Sequence, residues 1–195
     1  MSNLRVAPAE ITGLYGAVVK RFATKMFGRV PEPLGIYWHN RLVLSTYVKV
    51  SAGANGWDRC DPNLKSFAHM ATSALTGCSW CLDYGYFHAF NEKLDVDKAR
   101  EVPRWRESTA FTPLEREVLE YAEAMTVTPP TVTDELAESL RQQLGAEAFV
   151  ELTAWIAVAN FYNRSNIAFG IESEGYADAC ELAPLASRGG VASAS

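Results

Sequence analysis

Residues 76–88 read TGCSWCLDYGYFH, with two cysteines three positions apart directly after a glycine. Gly77 suits a helix start at this point, and a helix opening near Ser79 sets Cys78 at its N-terminus. There the unpaired amides and the helix dipole favour a thiolate, lowering a thiol pKa from its usual value of about 8.5. The three-residue step also lets the two sulfurs meet within one turn. One cysteine can then react with an oxidant to give a sulfenic acid, which its neighbour resolves before overoxidation. Redox chemistry is one reading of the pair; a pair of buried, inert thiols and a metal site are the others.

Outward from this stretch the pattern is helical, without the alternating β-branched runs and tight Asn-Gly or Asp-Gly turns that mark strands. Apolar residues Ile11, Leu14, Val18 and Phe22 repeat at helical steps and predict a helix from Glu10 to about Phe27. A second helix is expected over Leu34–Val50, with SAGANGWDRCDP after it as a loop. Further helices are expected over Pro62–Thr76 and Ser79–Lys93, followed by a short one capped by Asp95 that ends near Glu101. TPLE at 112–115 is a capping box with proline at the first helical position, and the stripe Leu114, Val118, Ala122 and Met125 follows it. The next helix runs to Leu144, where Gly145 closes it. A long apolar helix from Ala146 to about Phe169 carries Phe149, Leu152, Ile156, Ala159 and Asn163 on one face and is expected to be central. The fold class is therefore all-α, a bundle of about eight helices. One domain is expected over residues 1–180, with an N-terminal helical extension at 1–55, a core at 62–174, and a flexible tail at 181–195.

Bulk properties narrow the function. The chain has 195 residues, 48% hydrophobic and 21% charged, and a net charge of -5. A chain of this size buries about two-thirds of its surface and needs no staple to fold. Net acidity without a Lys/Arg cluster argues against nucleic acid as a partner. The first residues lack the apolar core of a signal peptide, and FVELTAWIAVANF is too short to span a bilayer and carries Glu151. A cytoplasmic location without membrane attachment is expected, where thiols are kept reduced and a close cysteine pair is catalytic or metal-binding rather than structural. Structural zinc needs four ligands, and Cys60, Cys180, His69 and His88 are scattered. Haem attachment needs His directly after the second Cys, where Leu82 stands. Neither a metal nor an organic cofactor is expected.

TGCSWCLDYGYFHAF, with the later segments LEREVLEYAEAMTVTPPTVTDEL and ANFYNRSNIAFGIE, resembles the carboxymuconolactone decarboxylase superfamily, and within it the AhpD-like (alkylhydroperoxidase D-like) branch. The resemblance covers about Pro62 to Glu174. It implies an all-α homo-oligomer, as dimer, trimer or hexamer, that reduces small organic hydroperoxides. It makes Cys81 the attacking thiolate and Cys78 the resolving partner, with electrons from a dithiol donor, either a lipoyl-bearing or a thioredoxin-like protein. The redox branch usually has a His four residues after the second Cys and a Glu twelve residues before the first. This sequence has Gly85 and Ser66 there. Loss of such a proton relay costs roughly 10²–10⁴-fold in rate.

Other side chains near the pair are candidates for that work. Tyr84, one turn beyond Cys81, can hydrogen-bond a thiolate or a peroxide oxygen and is the catalytic candidate after the cysteines. Asp83, His69 on the preceding helix and His88 are candidate relay groups, although His88 lies two turns on, about 10 Å along the helix. Two further readings stand beside the peroxidase. One is an oligomeric helical protein without catalysis, its cysteines redox-sensing or vestigial. The other is a lactone decarboxylase, made remote by retention of the Cys pair. Elsewhere, Arg104 and Arg106 flank Trp105 in an expected solvated turn. Arg164, inside an apolar helix, is expected to pair with Glu151, Glu172 or Glu174.

Overall fold

The computed structural model describes residues 4–186. Within them the chain forms α1 (Gly13–Phe27), α2 (Glu32–Tyr37), α3 (Arg41–Asn55), α4 (Pro62–Thr76), α5 (Ser79–Asn91) and α6 (Val96–Glu101). A 3₁₀ turn (Val102–Arg104) leads into α7 (Pro113–Thr126), α8 (Asp134–Leu144), α9 (Ala146–Phe169) and a single turn, α10 (Tyr176–Ala179). Among the described residues there is no strand, and no helix is long and apolar enough to cross a membrane.

Helix α4 occupies the centre, with α5, α7 and α9 packed around it. Its start is fixed by Asp61, whose Oδ1 accepts the N–H groups of Asn63 at 2.8 Å and Leu64 at 3.2 Å. Pro62 takes the first position, where no N–H is required. From Leu64 to Ser73 every residue is buried except His69, which is partly buried. The long apolar helix has the expected bounds as α9, but it lies to one side of α4 rather than at the centre. It buries Leu152, Ile156, Ala159 and Asn163 and leaves Val150 and Phe161 exposed.

The caps read from sequence are present. Thr112 and Glu115 form a reciprocal capping box at α7, and Asp95 accepts the N–H of Lys98 at α6. Three expectations near the N-terminus change. Helix α1 begins at Gly13, and the stripe that predicts it is not its buried face: Leu14 is 92% exposed, Val18 65% and Phe22 60%. The helix is seated instead through Gly16 and Ala23. A Cβ at Gly16 would lie 3.2 Å from Ile11 and 3.3 Å from Trp38, so any side chain there would have to push these neighbours back by a few tenths of an ångström. The helix expected over Leu34–Val50 is two helices. Asn40 breaks it by capping α3, its Oδ1 accepting from Leu42 and Val43 at 3.2 Å each. Helix α3 then continues to Asn55 through residues expected as loop.

A second apolar cluster of Ile11, Tyr37, Trp38 and Leu44 holds this N-terminal part against Phe169 at the end of α9. The flexible tail expected from residue 181 does not begin there. Tyr86 Oη donates to Ala183 O at 3.0 Å, Arg100 Nε to Pro184 O at 2.7 Å, and Ala186 N to Arg100 O at 3.1 Å. The rest of that segment, 187–195, lies outside the described residues. Arg164 donates to Thr126 O at 2.9 Å and Thr128 Oγ1 at 3.1 Å, while of the expected carboxylates Glu151 is held by Lys65 and Glu174 by Trp80. Trp105 is anchored as expected, with its Nε1 donating to Glu123 at 3.2 Å.

Glu151, on the α4-facing side of α9, belongs to Lys65. The pair is buried, Nζ to Oε1 2.7 Å, with side chains 10% and 6% exposed. Glu151 also accepts the N–H of Arg59 at 2.7 Å. Removing one member of such a pair leaves an uncompensated buried charge, whereas removing both in favour of apolar groups is often neutral. Lys65→Met is therefore expected to cost about 3–5 kcal/mol in urea unfolding, and Lys65→Met/Glu151→Leu to recover most of that loss. A double variant no more stable than the single would show that the carboxylate's bonds to backbone, rather than the ion pair, are what count.

Candidate active site

Gly77 ends α4 in left-handed backbone, φ 78°, and its N–H bonds to Ser73 O at 3.1 Å. The chain reverses there, so Cys78 becomes the N-cap of α5, with its Sγ accepting the Cys81 N–H at 3.3 Å. Cys78 and Cys81 are joined as a disulfide, Cα atoms 5.3 Å apart. Both are buried, 1% and 2% exposed. Opening the bond leaves Cys78 with an amide donor and the N-terminal end of the α5 dipole, the arrangement that favours a thiolate.

Cys81 has a donor of its own that the sequence reading missed. Asn166 on α9 directs Nδ2 to Cys81 Sγ at 3.4 Å. The Tyr37 hydroxyl, which donates to Ser165 Oγ at 3.0 Å, lies 3.4 Å from the amide oxygen of Asn166. The only signal in the sequence was an Asn at a core-facing position of an apolar helix. Asn163, one turn earlier on the same face, is fully buried, and neither polar atom of its side chain has a partner.

The structure places the other candidates in two groups. Asp83 faces away from the sulfurs and holds the C-terminal segment: it accepts from Ser173 Oγ at 2.7 Å, Tyr176 N at 2.9 Å and Ala177 N at 2.8 Å. Tyr84, His69 and His88 instead share a cavity of about 90 Å³, whose wall also includes Ser66 and Gly85. Neither sulfur lines this cavity; the nearest turn of α5, Tyr84 and Gly85, does. His69 links the two, its Nε2 lying 3.2 Å from the carbonyl oxygen of Cys81. A carbonyl only accepts, so Nε2 carries the proton and Nδ1 is the unprotonated nitrogen.

Gly85 and Ser66 thus both border open space, but they differ. A Cβ on Gly85 would come within 2.9 Å of Met70 Cγ and 3.0 Å of His69 Cδ2. The imidazole of His69 already fills the room that a side chain at 85 would need. Burial lowers the His69 pKa from 6.5 to about 4, against the raising effect of its bond to Cys81 O, with His88 lowering it further. Burial also lowers His88, with Glu92 opposing. It pushes the Tyr84 phenol up to about 12. All three are uncharged near pH 7.

Aromatic side chains enclose the other side of the pair. Trp80, between the cysteines, stacks on Tyr84 at 5.3 Å and donates Nε1 to Glu174 at 2.7 Å. Glu174 also accepts the N–H of Glu32 at 3.0 Å and the Tyr176 hydroxyl at 3.1 Å. Burial raises the Glu32 carboxyl, helped by the nearby charges of Glu174 and Glu172. The other two cysteines stand apart from the pair: Cys60 is a buried thiol pushed up to about 11 by burial beside Glu151, and Cys180 is half-buried. Among the described residues no group of three or more His, Cys, Asp or Glu side chains is arranged to hold a metal ion.

Comparison with known proteins agrees with this geometry. A model of the carboxymuconolactone decarboxylase family matches residues 42–124, which include both cysteines. The uncharacterized protein YnjA of Escherichia coli (strain K12) is 35% identical over 153 residues, 76% of this chain and 82% of that protein. Two solved structures share the fold. The debrominase Bmp8, in a cysteine-to-alanine variant complexed with 2,3,4-tribromopyrrole, superposes with a TM-score of 0.78 at 21% identity, covering 91% of this chain and 95% of that one. An uncharacterized peroxidase-related protein of Ralstonia eutropha JMP134, with an alkylhydroperoxidase AhpD core, gives 0.73 at 16% identity, covering 88% and 94%.

The neutral imidazole of His69 makes a pH-dependent contribution with a defined sign. Its folded pKa of about 4 lies below the ordinary 6.5, so between these values the unfolded chain binds a proton that the folded chain refuses. Stability from this group is fully present above about pH 6.5 and is lost as pH falls toward 4, by at most ~3 kcal/mol. Urea unfolding at pH 7 and 4.5 is expected to show a larger acid loss in the wild type than in His69→Gln. Equal losses would place the imidazole in water rather than in the bundle.

Proposed function

The chain belongs to the carboxymuconolactone decarboxylase family, and on that footing we propose that it is an AhpD-like dithiol oxidoreductase that reduces small organic hydroperoxides. The observation that carries this reading is the pair itself. Two cysteines lie within disulfide reach at the start of α5, one sulfur receiving a backbone N–H and the other the amide of Asn166. In the proposed cycle the Cys81 thiolate attacks the outer peroxide oxygen, breaking the O–O bond and giving a Cys81 sulfenic acid and an alkoxide, which takes a proton to leave as the alcohol. Cys78 then displaces water from the sulfenic acid and forms the disulfide. A dithiol, lipoyl or thioredoxin-like, returns two electrons and two protons.

Magnitudes decide which residues activate the sulfur. A base with a pKa of about 4 cannot hold a proton taken from a thiol near 8.5. His69 therefore does little as a general base at neutral pH. Thiolate formation falls to hydrogen-bond donors and the helix dipole, and hydrogen bonds to a charged group are worth about 1.5–3 kcal/mol each. His69 acts as a positioning residue that ties α4 to the Cys81 carbonyl. Tyr84 stays protonated and is the group in the cavity wall suited to donate to the departing alkoxide.

A second reading uses the same dithiol. The fold shared with a debrominase makes a carbon–bromine bond another two-electron acceptor. There a thiolate would take bromine from the ring, the ring carbon would take a proton, and the second cysteine would displace bromide and form the disulfide. The non-catalytic, redox-sensing reading predicts a disulfide that forms no faster than between ordinary thiols. For assembly, the exposed stripe of Leu14, Val18, Phe22 and Met26 on α1 is a face for a second copy of this chain.

The reading is tested by mixing the pre-reduced protein with cumene hydroperoxide and following tryptophan fluorescence, with Trp80 in the motif as reporter. The wild type is expected to oxidise rapidly; Cys81→Ser is expected to lose the phase, and Cys78→Ser to stop at a sulfenic acid that dimedone traps. Asn166→Ala is expected to slow the reaction about tenfold through a higher thiol pKa, the effect of losing one hydrogen bond to a charged sulfur. Oxidation at the rate of a free thiol would overturn the peroxidase assignment, and bromide release from a bromopyrrole by the same dithiol would move it to dehalogenation.

A further inference from the structure

The wall of the cavity beside the cysteine pair is chemically one-sided. Its polar groups include Ser66, His69, Tyr84, His88 and Tyr162, and among the described residues no Asp, Glu, Lys or Arg lines it. Burial keeps both imidazoles below their ordinary pKa and holds the phenols of Tyr84 and Tyr162 up at about 12. Every group that faces a ligand is thus neutral near pH 7. The charges behind the wall are not available to a ligand: Lys65 lies 5.3 Å from the Trp155 ring but is paired with Glu151 at 2.7 Å. An anion entering this space would shed its water without a counter-ion to replace it, which is unfavourable in a low-dielectric site.

Size and shape add to this. Ala54, Val158 and Ala159 supply apolar surface, and the enclosed volume is about 90 Å³. That is somewhat less than the ~150 Å³ of an apolar cavity that takes up benzene, so one small ring or a short branched chain fills it. Trp155, in the wall, keeps its indole N–H buried without an acceptor.

We infer that this cavity binds small, uncharged organic molecules and rejects carboxylates and phosphates of the same size. This rests on the cavity being the approach to the cysteine pair, and narrows its substrates to neutral, compact oxidants; a hydroperoxide carrying a carboxylate, such as that of a fatty acid, is excluded.

Binding is measured on the oxidised protein, so that no turnover is needed. The probes are 2-methyl-2-propanol and 2,2-dimethylpropanoate, a neutral and an anionic ligand of similar carbon skeleton. Indole N–H signals are followed in a two-dimensional ¹H–¹⁵N spectrum, with Trp155 identified from Trp155→Phe. The alcohol is expected to shift the Trp155 signal saturably, and the carboxylate to bind at least tenfold more weakly. Ser66→Leu, which fills the cavity, is expected to weaken the alcohol at least tenfold with an unchanged helical spectrum. Equal binding of the two probes, an unmoved Trp155 signal, or insensitivity to Ser66→Leu would overturn the inference. Binding of the alcohol without any reaction of the reduced protein with tert-butyl hydroperoxide would instead sink the peroxidase reading and leave this one standing.

Discussion

Helix α4 is walled in by α5, α7 and α9 and has one residue between Leu64 and Ser73 that is only partly buried, His69. A helix so enclosed cannot shift along its axis without unpacking three neighbours, because interiors are packed at crystal-like density. Its C-terminal end is therefore a fixed point, and Gly77 turns the chain there with its left-handed backbone. The position of Cys78 at the start of α5, the reach from Cys78 to Cys81 and the contact of His69 with the Cys81 carbonyl all follow from this junction. The buried Lys65–Glu151 pair pins α4 to α9 near its other end, which sets the register that brings Asn166 opposite Cys81.

Much of this was legible in the sequence because it is local. The capping box at Thr112, the cap at Asp95 and the glycine-to-cysteine helix start are governed by a few adjacent residues, and they appear where periodicity and capping chemistry put them. The break at Asn40 was not legible, since the apolar pattern runs through it and the deciding feature is a side chain that prefers backbone N–H groups to the helix interior. The outward orientation of Leu14, Val18 and Phe22 was also hidden: periodicity reports that one face of a helix is apolar, not what that face touches.

The site divides along the same line. Cys78, Cys81 and Tyr84 are on one element and could be named in advance. Asn166, Tyr37, Glu174 and Trp155 reach the site from segments 40 to 95 residues away from the cysteines or from the chain's N-terminal third, and no spacing rule relates them to it. Asp83 was attractive by proximity in sequence, yet one position along a helix turns a side chain by about 100°, and that rotation carries it to the C-terminal segment instead of the sulfurs. His69 was named correctly as a neighbour, but its burial changes what chemistry it can do.

The two small residues of the cavity wall have different evolutionary prospects. Ser66 already presents a side chain to open space, so its replacement by larger residues trades ligand volume for packing in single steps. Gly85 is locked, because Met70 and His69 stand within 3.0 Å of where its first carbon would go. A lineage that moved its imidazole from position 69 to 85 would have to change 69 first, and one that moved it from 85 to 69 would have to change 85 first, so in either direction the intermediate would lack both. The present arrangement is therefore held in place by the order in which substitutions are permitted, and relatives on either side of that step are expected to differ at both positions together.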